Sequence, residues 1–451
     1  MPSFISGANI TDLCGRLADN SVIDPNLYEK YHIKRGLRNS DGTGVLAGIT
    51  NICNVHGYVI NEGEREPIPG QLIYRGYNVN DLVENVEKDD RYGYEETAFL
   101  LLFGHLPNEK ELKTFSSYIS VKRDLPNGFV EDMILKAPSK NIMNKLARSV
   151  LALYSYDDEC ENKGLESEMR TAVSLIAKMP VIMANAYQVK RRVFDNQSMI
   201  MHPINYEENT AQCILSLLRP DRKYTKDEAQ MLDRLLMLQA EHGGGNNSTF
   251  TCRVLTSSGT DPYSAYSSAI CSLKGPRHGG ANLAVIHMLD DFKANIKNWE
   301  NEGEVADYMR RTIRKETNDH SGLIYGMGHA VYTISDPRAV ILKKKAFELA
   351  KGKDIEAEFR LLETIERLTP EVFLELKGSS KVMCANVDMY SGLVYRMLGI
   401  PDELFTPLFA VARMAGWAAH RMEEILTGGR IIRPAYKAVA KEHEYVKLKD
   451  R

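Results

Sequence analysis

The chain has 451 residues, 43% of them hydrophobic, and its 57 basic and 60 acidic side chains leave a formal charge of −3. That length supports a sizeable core and more than one domain, and so small a charge supplies no field to draw a nucleic acid or a membrane surface. The seven cysteines form no Cys-x-x-Cys pair, and their odd number argues against a disulfide framework. Residues 1–30 contain no apolar run of the signal-peptide kind, and no segment approaches about 18 uninterrupted apolar residues. The expectation is a cytoplasmic chain with reduced thiols and small-molecule partners.

Strand-like material comes first: AGITNICNVHGYVI (47–60) and QLIYRGYNV (71–79) flank the Pro/Gly-rich NEGEREPIPG (61–70), which predicts a small hairpin. From about residue 79 onward the pattern is one helix after another. EETAFLLLFG (95–104), NIMNKLARSVLALYS (141–155) and SEMRTAVSLIAKMPVIMANAYQVKRR (167–192) lead. YTKDEAQMLDRLLMLQAEH (224–242), DPYSAYSSAICSLKG (261–275) and NLAVIHMLDDFKANI (282–296) follow, then DIEAEFRLLETIERL (354–368) and ELFTPLFAVARMAGWAAHRMEEIL (403–426). The fold class is mainly α. Thr225 with Glu228 forms a capping-box pattern, Asp261-Pro262 and Asp336-Pro337 read as N-cap and N1, and Gly243 and Gly275 read as stops. The small residues of YSAYSSAICS let neighbouring backbones approach closely, so that helix is expected to be central. No repeat, low-complexity tract or long linker divides the chain.

Five polar positions interrupt the apolar pattern. His242, seven after Leu235, is expected to continue the apolar face of its helix as it ends at Gly243; it is either a histidine favoured by the helix dipole or one aimed into a site. His278 stands at the mouth of a helix, where partial positive charge keeps imidazole neutral; it is either a loop cap or a hydrogen-bond donor to a developing oxyanion. His329 follows Gly326-Met327-Gly328, and Arg338 opens the helix begun by Asp336-Pro337. A cation there is misplaced unless an anion joins it, either Asp336 at the surface or a carboxylate ligand. Asp388 precedes an apolar helical run, as an N-cap or as a partly desolvated carboxylate base. Arg413 is the one charged residue in LFTPLFAVARMAGWAA (404–419), so a buried ion pair or an anionic ligand is required of it.

Taken in order, EHGGGNNSTFT, GPRHGGAN, GMGHAVYTISDPR, NVDMYSG, FAVARMAGW and RIIRP resemble the citrate synthase family, in its bacterial-type Si form. The resemblance runs from LIYRGYNVNDL at Leu72 to RPAYK near the C-terminus. It implies a two-domain multi-helical fold with a small N-terminal β element. Residues 1–277 and 390–451 would form the large, dimer-forming domain and residues 278–389 the small, CoA-binding one. The implied activity is the condensation of acetyl-CoA with oxaloacetate and water to citrate and CoA in the tricarboxylic acid cycle.

Carried over by position, Asp388 would take a proton from the acetyl methyl, His278 would hydrogen-bond the enolate, and His329 would polarise and protonate the ketone. His242, His329, Arg338, Arg413 and, from a second subunit, Arg433 would bind oxaloacetate and citrate. Leu323, Ile324, Tyr325, Gly326 and Gly328, with Lys381 as a phosphate contact, would receive CoA. The implied assembly is a homodimer, with acetyl-CoA as co-substrate, no permanently bound cofactor, no metal, no nucleic acid and no membrane.

The chain departs from the common family pattern at Gln239, where many members have histidine, at Glu241-His242-Gly243, where many have Asp-His-Glu, and at Ala385, where proline is usual. Two other readings compete. A 2-methylcitrate synthase would take propionyl-CoA, since one methylene is worth only about 1–3 kcal/mol of discrimination. A non-catalytic scaffold is opposed by the joint presence of His278, His329, Asp388 and the arginines. Metal ligation by the histidines lacks a His-Glu-x-x-His or comparable spacing.

Overall fold

In the computed structural model, residues 7–39, 41–378 and 383–450 are described. The chain divides into two units, residues 1–49 and 50–451. The first contains α1 (Gly7–Asn20) and α2 (Asn26–Lys30), followed by a short bridge between Arg38 and Gly44.

The second unit opens with an antiparallel hairpin, β1 (Cys53–Asn61) and β2 (Glu64–Tyr74), to which β3 (Tyr77–Asn78) adds. Glu62 and Gly63 form its two-residue turn, both at positive φ (51° and 87°), as a turn matched to strand twist requires. The Pro/Gly-rich stretch expected as the connection lies mostly inside β2. Proline fits there because β3 pairs only with Ile73 and Tyr74, leaving the outer edge beside Pro67 and Pro69 unpaired, and because the register shifts between His56 and Tyr58.

Helices then run in series. α3 (Val79–Lys88), α4 (Tyr94–Phe103), α5 (Glu109–Val121), α6 (Ile142–Ala152) and α7 (Leu165–Phe194) come first. α8 (Thr210–Leu218), α9 (Lys226–Gln239), α10 (Asn247–Ser257) and α11 (Pro262–Leu273) follow. α12 (Ala281–Asn295), α13 (Glu302–Ile313), α14 (Pro337–Ala350), α15 (Glu356–Lys377), α16 (Asp388–Met397) and α17 (Phe405–Leu426) complete the set. The expected caps form: Thr225 and Glu228 close a reciprocal box on α9, while Asp261 and Asp336 accept from Ser264 and Arg338 backbone N–H groups ahead of N1 prolines.

α17 is the axis of this unit. Nearly every residue from Phe405 to Met422 is buried, and it packs against α4, α7, α9, α10 and α11. The small-residue helix α11 packs against α6, α7, α10 and α17. α7 is long and apolar enough to cross a membrane by length and composition, and most of that span is buried against its neighbours.

Two local features set up the site. α9 ends at Gln239, so His242 lies beyond the helix and does not continue its face. The chain leaves helical geometry where side chains take over the terminal carbonyls: Tyr74 Oη donates to Glu241 O at 3.0 Å with Met237 O and Leu238 O also within reach, and Arg413 Nε donates to Gln239 O at 2.8 Å. The hairpin backs the segment 331–335. A Cβ on Gly70 would fall 2.1 Å from the Ser335 carbonyl and 2.6 Å from the Tyr332 ring, and one on Gly57 would meet Val331 O at 2.9 Å. Arg65 donates to Val331 O, and Tyr332 Oη to Gln71 O.

Candidate active site

Two loops distant in sequence pair to form the floor. Gly328 N–H donates to Cys384 O (2.8 Å), Asn386 N–H donates to Gly326 O (2.9 Å), and Met327 bridges Ala385. Asn386 then works in both directions: its Nδ2 donates to Gly328 O (2.9 Å) while its Oδ1 accepts from Asp388 N–H (2.9 Å). Gly326, at φ 83°, packs so closely on α16 that a Cβ would sit 2.7 Å from Met389 Sδ. His329 and Asp388 are thereby held by one piece of backbone.

His329 Nδ1 accepts from both Val331 N–H and Tyr332 N–H at 3.1 Å. In the neutral ring this places the proton on Nε2. Tyr332 stacks on His329 (centroids 4.6 Å, 24°), and His242 meets His329 edge-on at 5.0 Å. His242 is buried, and burial, reinforced by Arg338, His329 and Arg413, holds its pKa well below the ordinary imidazole value. It is a neutral ring.

His278 precedes α12, as its place at a helix mouth predicts. Its pKa falls to about 4, chiefly through burial and secondly through Arg413. Ser248 N–H donates to its Nε2 at 3.3 Å, and Ser248 Oγ lies 3.0 Å from the same atom. The neutral ring therefore carries its proton on Nδ1. Trp417 Nε1 in turn donates to Ser248 Oγ at 3.2 Å, fixing that serine from α17.

The two internal arginines differ. Arg338 is buried, not superficial, and Asp336 grips it at two points, 3.1 Å from Nε and 2.7 Å from Nη2; this pair holds its pKa above the ordinary value. Arg413 is fully buried and makes no ion pair with a carboxylate among the described residues, although the buried Glu241 acts on its charge. Its Nε bonds a carbonyl, its guanidinium lies 4.8 Å above the Phe409 ring, and Nη1 and Nη2 have no hydrogen-bond partner among the described residues. A guanidinium stays charged in proteins, so these two donors await an anion.

Asp388 is the first residue of α16, and its carboxylate makes no cap. Its N–H is itself capped by Asn386, which leaves the carboxylate uncommitted to the helix end. Burial raises its pKa to about 6 against the opposing pull of Arg338, with Asp336 adding to the rise and Arg413 subtracting. A carboxylate near 6 is a stronger base than an exposed one and is still ionised at neutral pH.

The structure thus gathers His242, His278, His329, Arg338, Asp388 and Arg413 into one electrostatically coupled group. Leu323 is half exposed, Ile324 is buried, and the Tyr325 hydroxyl is taken by Asp319. Lys381 lies outside the described residues. Arg433 is exposed on the extended segment after α17. Sequence reasoning missed Ser248, Tyr332 and Asn386, whose contribution is hydrogen bonding or stacking to a site residue. Asp336 was visible as a cap, and the arginine two residues on was the available signal for its second role.

A family profile described as "Citrate synthase, C-terminal domain" matches residues 39–435. The chain is 33% identical to a citrate synthase of Saccharolobus solfataricus over 93% of its own length and 99% of that protein's. It is 34% identical to a citrate synthase of Haloferax volcanii, over 89% and 94%, and 30% identical to 2-methylcitrate synthase 1 of Corynebacterium glutamicum, over 93% and 98%. Among solved structures, a Thermoplasma acidophilum citrate synthase in ternary complex with carboxymethyl coenzyme A and oxaloacetate superposes with a TM-score of 0.75 at 27% identity, covering 93% of this chain and 99% of that one. A Pyrobaculum aerophilum citrate synthase gives 0.73 at 29%, covering 90% and 94%.

Proposed function

Because this chain belongs to the citrate synthase family, we propose that Asp388, His278 and His329 divide between them the condensation of acetyl-CoA with oxaloacetate. The enzyme is an acyltransferase that turns an acyl group into an alkyl group on transfer. A thioester methyl is a very weak acid, so abstraction by a carboxylate requires that the enolate oxygen be stabilised as its charge develops. Asp388 takes the methyl proton, and the Nδ1–H of neutral His278 donates to the enolate oxygen. The enolate carbon attacks the ketone of oxaloacetate, polarised by His329 Nε2–H, and the resulting alkoxide takes a proton through His329. Water then cleaves the citryl thioester, releasing citrate and CoA.

The observation that carries this reading is the pair of hydrogen-bond patterns at the two histidines. Backbone N–H donors fill one nitrogen of each histidine, Nδ1 of His329 and Nε2 of His278. Each ring is left with a proton on the other nitrogen. Oxaloacetate carries two carboxylates, which planar guanidiniums bind in two-point geometry; Arg338, Arg413 and His242 serve it, with Arg433 reaching in from a second subunit of a homodimer. CoA lies along Leu323, Ile324, Tyr325, Gly326 and Gly328, with Lys381 at a phosphate, in a small domain of residues 278–389 that closes over substrate against the large domain of residues 1–277 and 390–451. The protein works in the cytoplasm.

Thiol release from acetyl-CoA and from propionyl-CoA, each with and without oxaloacetate, tests the activity. Oxaloacetate-dependent release favouring acetyl-CoA is expected; release favouring propionyl-CoA identifies a 2-methylcitrate synthase, and none with either leaves a scaffold. Asp388→Asn is expected to lose about 10²-fold or more in kcat, and full activity in that variant removes the assigned base. Mixing Asp388→Asn with Arg433→Ala subunits should regenerate one competent site per mixed dimer.

A further inference from the structure

Among the polar groups buried around the site, one belongs to a residue that the division of labour above leaves unused. Gln239 closes α9 and is fully buried. Its Oε1 accepts from Tyr395 Oη at 2.8 Å, and its backbone carbonyl accepts Arg413 Nε at 2.8 Å. Among the described residues nothing accepts from its Nε2. The same is true of Arg413 Nη1 and Nη2. Tyr395 stands close enough to Asp388 for the carboxylate to act on its hydroxyl, so the Gln239 amide is hydrogen-bonded to a side chain within electrostatic reach of Asp388.

We infer that Gln239 Nε2 is a substrate donor, binding together with Arg413 a carboxylate of the α-keto dicarboxylate substrate. The Tyr395 hydroxyl fixes which way the amide faces: with Oε1 occupied, Nε2 is the end left to donate. Among the described residues this corner leaves three donor nitrogens unsatisfied, one amide NH2 and two guanidinium nitrogens, beside a single acceptor, the buried Glu241 Oε2; the excess of donors matches an anion. Arg413 is tethered to the backbone of the residue whose side chain completes the set, so the two donors move together. Gln239 sets specificity for the keto acid, and Tyr395 is its positioning residue. The inference deepens the proposed function and rests on it for the identity of the anion.

The test uses the full-length protein and oxaloacetate alone in a calorimeter, beside steady-state kinetics. Gln239→Leu should weaken oxaloacetate binding and raise its KM by about tenfold to a hundredfold, with the KM for acetyl-CoA little moved and a lower Tm because the buried Tyr395 hydroxyl loses its acceptor. Gln239→Glu, which keeps the acceptor for Tyr395 and replaces the donor by a negative oxygen, should weaken it at least as much. Tyr395→Phe should give a smaller loss in the same parameter, because the amide is freed to turn. Gln239→His, which restores an N–H donor, should recover part of the affinity. Unchanged oxaloacetate affinity in Gln239→Leu and Gln239→Glu overturns the inference, as does a loss shared equally by both substrates. If Gln239→Leu does not fold, the volume-preserving Gln239→Glu decides. Absence of oxaloacetate-dependent thiol release in the wild-type protein defeats the parent reading, whereas the calorimetric comparison still judges the amide.

Discussion

Asp336 and Arg338, two residues apart at the start of α14, form a buried two-point ion pair at 3.1 and 2.7 Å, and Asp336 Oδ2 also accepts Val387 N–H at 3.3 Å. One carboxylate thus orients Arg338, proposed to bind substrate, and anchors the residue before Asp388. Asp336→Ala leaves the guanidinium buried without a counter-ion, and is expected to cost about 3–5 kcal/mol in a denaturant titration. Replacing both partners, by Asp336→Leu with Arg338→Met, should recover much of that stability while oxaloacetate binding stays lost. Lost stability in the double variant equal to that in Asp336→Ala would show that the pair is not the cause.

The rate should fall in acid because of Asp388. Its pKa of about 6 means that the proposed base is protonated below that pH, so kcat/KM is expected to rise with pH through about 6. His278, at about 4, stays neutral across that limb and does not shape it. Stability runs the other way. A carboxyl whose folded pKa lies above its unfolded value destabilises the fold progressively as pH climbs from the unfolded value to about 6. Asp388→Asn should therefore lose activity yet gain stability at pH 7, by an amount on the order of 3 kcal/mol, and no gain at pH 3. His278 has the opposite sign: its depressed pKa withdraws stability as pH falls from the imidazole range toward 4.

Ser248 tests the assigned tautomer of His278. Ser248→Ala keeps the backbone N–H to Nε2 but removes the hydroxyl beside it, and strands Trp417 Nε1 in a buried position. A stability loss of about 1–3 kcal/mol is expected. kcat should fall about tenfold through a looser His278, with the KM for oxaloacetate unchanged. An equal rise in that KM would place Ser248 with the dicarboxylate instead.

Gly70 tests the hairpin as a support. Gly70→Ala drives a methyl into Ser335 O and the Tyr332 ring, displacing the ring that stacks on His329. The expected cost is about 1–3 kcal/mol together with a fall in kcat, measured by thermal unfolding and thiol release. Gly63→Ala, which has open space around it but also a positive φ, should destabilise the turn and leave kcat alone.

Helix identity was legible where local chemistry decides it. The Thr225–Glu228 box and the Asp-Pro pairs at 261 and 336 start helices through their own side chains, and Arg413 announced itself as a charge in an apolar helix. The rest depends on partners far along the chain. The end of α9 is set by Tyr74 and Arg413, from a strand and a helix that periodicity around Gln239 cannot see. The prolines of β2 read as loop because the lack, among the described residues, of a second strand on their outer edge is a tertiary fact. Asp388 looked like an N-cap, and only Asn386, hydrogen-bonded across to Gly328, takes that duty away from it.

The short bridge between residues 326–328 and 384–386 works as a caliper. Its jaws carry the proposed acid His329 and the proposed base Asp388, and their spacing is written into backbone hydrogen bonds rather than left to the incoming substrates. His242 and Arg413 come from the other side, on the α9 exit and α17. Substitutions that alter how these two sides meet should change how firmly oxaloacetate is grasped, while proton transfer, once substrates are seated, keeps its own gauge.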